Sequence, residues 1–162
     1  MLLIKMKSEK KIMTEIKDIV EEITSHVKEH EKYMEELKEK FPIKDFLRYT
    51  EFDLKEKIEM IPMKILEYQE LLNKEESILN KFIEQKNKVI GEVYDHHRFE
   101  MDKKLDKYEI EKYYIPQDKK VLAFNKIIQK QKWKVEYFEA CVKALDKMAW
   151  GIKDFIKTCT SI

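Results

Sequence analysis

The stretch Asp118–Ile156, DKKVLAFNKIIQKQKWKVEYFEACVKALDKMAWGIKDFI, decides the fold. Val121, Phe124, Ile128, Val135, Phe138, Val142, Leu145, Ala149, Ile152 and Ile156 step by threes and fours without a slip, with Gln131 filling the slot between Ile128 and Val135. A half-buried strand alternates with period two, whereas alternating steps of three and four trace one side of a helix. The pattern is an a/d seam of about five heptads, along a helix roughly 60–70 Å long at about 1.5 Å per residue. Leu122, Ile127, Cys141, Met148 and Phe155 flank it, so the apolar surface is wider than a two-stranded coil uses. Such width predicts a bundle or a homo-oligomer. Val121, Phe124, Ile128, Gln131, Val135, Phe138, Val142, Leu145, Ile152 and Ile156 are the expected oligomerisation residues. Packing of the same seam on the chain's own first helix is the rival use, and both are expected together. Gln131 would fix register between subunits, or be a satisfied buried glutamine with no such role.

The rest of the chain reads as helix as well. The 162 residues include two glycines and three prolines, and 40% are charged. All-β and Rossmann-type folds need more glycine for their turns, while Lys, Glu, Leu and Ile favour long salt-bridged helices. A content of 43% apolar residues is too much buriable surface for a disordered chain. The expected class is therefore all-α, with a long C-terminal seam helix in an oligomeric bundle or ring. Ser8 opens a first helix to Phe41, with Ile12, Ile16, Ile19, Ile23, Val27, Met34, Leu37 and Phe41 on one face, and Pro42 ends it. Ile43–Phe52 is a connector, and Asp53 caps a short helix through Met60. Pro62 starts the next helix, which runs from Met63 towards Ile90, and Gly91 marks a break or an end. From Glu92 to Ile115 periodicity is lost, which leaves short helices or loop open, and Tyr113-Tyr114-Ile115 reads as locally extended. Pro116 at N1 starts the last helix. The division expected is residues 1–61, a helical N-terminal region, and 62–162, carrying the middle segment and the seam helix.

Cys141 and Cys159 both fall on the last helix and cannot bridge within one chain, so a reducing compartment is expected. No apolar run approaches the ~18 residues of a membrane span. These features predict a soluble cytoplasmic protein without membrane attachment. His26-Val27-Lys28-Glu29-His30 matches the H-x-x-E-H string of one zinc protease class, with both imidazoles on one helical face. Val27 lies on the apolar stripe beside them and a third ligand cannot be picked out, so no metal site is expected. No nucleophile constellation or glycine-rich phosphate loop is present, and no enzyme and no cofactor are expected.

Charge is distributed unevenly. Residues 111–162 hold eleven lysines against six acids, and Lys119–Lys134 contains six lysines and no acid. Such a run is a solvated face or the site of an anionic partner, nucleic acid first. In the middle segment Lys81, Lys86 and Lys88 precede Gly91, and Tyr94, His96, His97, Arg98 and Phe99 follow, then Lys103 and Lys104. Cations that track phosphates, interleaved with flat side chains on which unstacked bases lie, are what single-stranded nucleic acid binding requires. Lys81, Lys86, Lys88, Tyr94, Arg98, Lys103 and Lys104 are the candidate DNA-binding residues.

Residues 62–157 resemble the UvsY recombination mediators of T-even-type bacteriophages. The resemblance is carried by Asp118-Lys119-Lys120-Val121-Leu122, by Gln131 with Val135-Glu136-Tyr137-Phe138-Glu139, by Val142-Lys143-Ala144-Leu145, and by Gly151-Ile152-Lys153. It implies a helical protein that assembles into a ring, a heptamer in the family, and binds single-stranded DNA. It also implies a cytoplasmic role in phage recombination, repair and replication, loading a RecA-like recombinase onto strands covered by single-strand-binding protein. The family's basic DNA-contacting stretch matches Gln85-Lys86-Asn87 with Lys88. The sequence departs from the pattern at Gly91 and Val93, where further basic residues are expected. A structural coiled-coil scaffold with no nucleic-acid partner is the alternative reading.

Overall fold

The structure, a computed structural model, describes residues 2–50, 52–101 and 105–160, with side chains described for residues 14, 16–50, 52–101 and 105–158. Every regular element among them is helical: α1 Leu2–Lys40, α2 Leu54–Asp95, the one-turn α3 Lys107–Glu109 and α4 Lys119–Thr160. The all-α expectation holds. The chain divides into two compact units at Phe41/Pro42, so residues 42–61 belong with the second.

The first unit is the single helix α1. It closes where the sequence places its stop: the Phe41 N–H donates to the Leu37 carbonyl, and Pro42 cannot extend the ladder. Lys38 and Lys40 in its last turn complement the negative end of the helix.

In the second unit α2 runs 42 residues without interruption. Pro62 and Gly91 were expected at helix boundaries, and both lie inside α2 instead. Pro62 is exposed, and the helix passes it although proline leaves the Ile58 carbonyl without its usual donor. The neighbour Ile61 explains why the helix continues. Ile61 is buried with Met148 and Ile152, and Phe46, Leu47, Leu54 and Ile65 pack around them, so tertiary burial outweighs the local penalty. At Gly91 the helix meets open space, and no break is needed. Asp53 sits at the N-terminus of α2, but its carboxylate accepts from the Thr50 N–H and hydroxyl rather than from the helix. The expected cap is therefore an anchor for the preceding turn.

α2 and α4 form an antiparallel hairpin. Its register is fixed by Ile61 against Met148 and Ile152, by Tyr68 against Phe138 with ring centroids 6.2 Å apart, and by Glu75 against Gln131 and Lys134. The linking segment is more ordered than its lost periodicity promises. A π-helical turn, His96–Glu100, continues α2; after Met101 the chain re-enters helix at Lys107 under a capping box of Asp106 and Glu109. A second π-turn, Ile110–Tyr114, and a 3₁₀ turn, Ile115–Gln117, complete it. Tyr113 and Tyr114 are thus helical, not extended. Pro116 belongs to the 3₁₀ turn, and α4 is capped by Asp118, whose carboxylate accepts from the N–H groups of Lys120 and Val121.

Candidate nucleic-acid interface

The seam of α4 is occupied within the chain. Val121, Ile128, Val135, Phe138, Leu145 and Ile152 are buried, Phe124, Gln131 and Val142 are half-buried, and Ile156 is exposed. Gln131 makes its contacts inside the hairpin: its amide donates to the Glu75 carboxylate at 2.8 Å and to the Glu75 carbonyl at 2.9 Å. The Lys134 ammonium lies 2.8 Å from the other carboxylate oxygen. Burial opposes charge on Glu75, but the hydrogen bonds and the charge of Lys134 outweigh it and hold the carboxyl below its ordinary range. The trio sets the register of α2 on α4, since a slip would strand a buried carboxylate.

Sequence reasoning missed three features of this interior. Glu75 continues the row Ile61, Tyr68 and Leu72, and an acid at an a/d position was the available signal. Trp133 and Tyr137 join Cys141 and Met148 in a second buried row on α4, beside the expected seam. Burial pushes the Tyr137 hydroxyl and the Cys141 thiol up from their ordinary values, so both are neutral at physiological pH. In the linking segment Leu105 and Ile110 are buried.

The Glu75–Gln131 hydrogen bond at one end and a hollow lined by Glu92 and Lys120 at the other bracket the basic part of the hairpin. Between them, residues 76–91 of α2 run beside residues 120–130 of α4. α2 brings Lys81, Lys86 and Lys88 to this zone, and α4 brings Lys120, Lys126 and Lys130. Lys81 and Lys88, seven residues apart, share the outer face of α2 and are exposed. Lys86 is half-buried and falls on the α4-facing side. These three cations therefore do not form one row.

The adjoining segment supplies flat side chains. Phe99, Tyr108, Tyr113 and Tyr114 are exposed, with Phe99 66% accessible. Lys112 lies 4.9 Å from the Tyr108 ring centroid and 5.2 Å from that of Tyr113. The His97 and Tyr114 rings lie tilted at 45° with centroids 4.7 Å apart, and His96 lies 2.8 Å from the Glu100 carboxylate. Tyr94 is half-buried. Arg98 is committed to the fold, donating to the Leu105 carbonyl at 2.6 Å. Lys103 and Lys104 lie outside the described residues. A hollow of about 190 Å³ opens here between Glu92, Val93, His96, His97, Asp118 and Lys120. It is smaller than the ~300–1,000 Å³ of small-molecule sites.

No protein-family model, characterised protein or solved structure matches the chain. Among the described residues, no three His, Cys, Asp or Glu side chains converge as a metal site, and no helix is long and apolar enough to cross a membrane.

Proposed function

We propose that the chain binds single-stranded DNA with the linker end of its α2–α4 hairpin. In this reading it acts as a recombination mediator that loads a RecA-like recombinase onto strands covered by single-strand-binding protein. The observation that carries the binding is the meeting of two ingredients at one end of the hairpin: an acid-free lysine run in the first half of α4, and exposed aromatic rings on the adjoining segment. Lysines hold phosphates without regard to sequence, and aromatic faces accept unstacked bases. The mediator role rests on the resemblance of the last helix to the UvsY family, which also supplies the expectation of a ring and of an intracellular site of action.

Lys81 and Lys88 are the phosphate-binding residues expected from α2, because both project from its outer face; Lys126 and Lys130 are those expected from α4. Lys81→Ala with Lys88→Ala should weaken binding about equally for all strand sequences and lower the salt slope by about 0.7 for each lysine that held a phosphate. Unchanged affinity and slope would remove α2 from the interface. The scaffold reading, a coiled-coil oligomer with no nucleic-acid partner, predicts no binding at any ionic strength.

A further inference from the structure

The helix α1 carries an apolar stripe of its own. Ile16, Ile19, Val20, Ile23 and Val27 occupy one side, and each is exposed, from 47% at Val27 to 58% at Ile23. The spacing is that of the a, d and e positions of a heptad, and in sequence Ile12 extends it. Five large β-branched side chains in one row, open to water, form the kind of contiguous patch that marks an interaction surface. The seam of α4 is filled by α2, whereas the described residues of this stripe are exposed.

The flanks indicate what covers it. On one side glutamates recur every seven residues, at Glu15, Glu22, Glu29 and Glu36. The other side reads Lys10, Lys17, Thr24, Glu31 and Lys38 over the same range, a net positive flank. Two parallel copies bring opposite flanks together, so the glutamate row of each faces the lysine-bearing flank of the other. An antiparallel pair sets glutamate row against glutamate row, which like-charge repulsion disfavours. Next along the seam, His26 takes a d position and His30 the following a, and polar residues at seam positions fix register and strand number at some cost in stability.

We propose that residues 14–29 of α1 form a parallel, in-register coiled coil with the same segment of a second copy of this chain. The apolar row is short, and short helical pairings are marginal in water, so association is concentration-dependent. The pairing does not depend on DNA binding, and its readout is mass.

Sedimentation of the full-length protein, free of nucleic acid, should show a mass that rises with concentration. Ile19→Asp with Ile23→Asp should abolish that rise while circular dichroism and the cooperative melt of the hairpin stay unchanged. Orientation is read in a Cys159→Ser background, where Cys141 is buried. Ile16→Cys should oxidise to a covalent dimer on its own. A wild-type chain that stays monomeric throughout, or an aspartate variant that associates as the wild type does, would overturn the proposal. So would cross-linking only between an Ile16→Cys copy and a Val27→Cys copy, the antiparallel signature.

Discussion

Glu75 and Lys134 form a 2.8 Å ion pair across the α2–α4 seam, where the Glu75 side chain is 6% exposed and that of Lys134 is 24% exposed. An ion pair on the surface contributes little, but breaking a buried one strands a charge. Gln131 satisfies the remaining carboxylate oxygen and the backbone carbonyl, so three side-chain and main-chain groups of Glu75 meet α4 at one level of the hairpin. Removing one partner should therefore cost more than removing the whole constellation.

Glu75→Ala should lower stability by about 2–3 kcal/mol, with Lys134 left without its carboxylate. Replacing the trio together by Leu at 75, Leu at 131 and Met at 134 should recover most of that loss. Denaturant midpoints at constant m-value measure both. The pH dependence has a defined sign. Because the folded carboxyl titrates below its ordinary value of 4.5, its stabilisation is present above that pH and is lost as pH falls through the lower folded value. Glu75→Gln should flatten the acid limb of the stability profile.

The alkaline limb belongs to the tyrosines of the seam. Burial is the main cause that pushes Tyr68 up to about 12, with the Cys141 and Glu67 charges adding to it, and burial likewise raises Tyr137. Unfolded tyrosines ionise near 10, so the protein keeps its full stability below that pH and loses it as pH rises towards 12. Tyr68→Phe, which retains the ring packed on Phe138, should reduce the slope of stability against pH between about 10 and 12. Ultraviolet tyrosinate titration against helicity checks it.

Most of the helical content was legible in the sequence, because period and punctuation act locally. The steps from Val121 to Ile152 place the hairpin's interior, and Pro42 places the end of α1. The boundaries inside α2 were not legible. Pro62 and Gly91 are correct signals of local preference, and burial of Ile61 overrides the first while an open helix surface tolerates the second. The fate of the seam was also hidden, since a/d periodicity does not say whether the facing helix is the chain's own. Only Glu75, an acid in the α2 row matched to Gln131 and Lys134, carried that information. Among the candidate DNA-binding residues, residue type identified cations, but the placement of Lys86 and the tie of Arg98 to Leu105 depend on helix phase and on the linker's path.

Gly91 is expendable to the fold. A Cβ added there meets nothing within 4 Å, and alanine is roughly 1 kcal/mol better than glycine in a helix interior. Gly91→Ala should raise the melting temperature by a few degrees, with DNA affinity unchanged. A loss of stability would show that the helix needs its freedom at this position.

DNA binding by the linker end of the hairpin is tested most directly by titrating an unstructured single-stranded oligonucleotide with the full-length protein over a series of salt concentrations. Tight binding at low salt is expected, with a logarithm of affinity that falls linearly with the logarithm of salt, by about 0.7 per phosphate neutralised. The slope should decrease when Lys126 and Lys130 are both replaced by alanine. No binding at low salt, or binding without a salt slope, would contradict it.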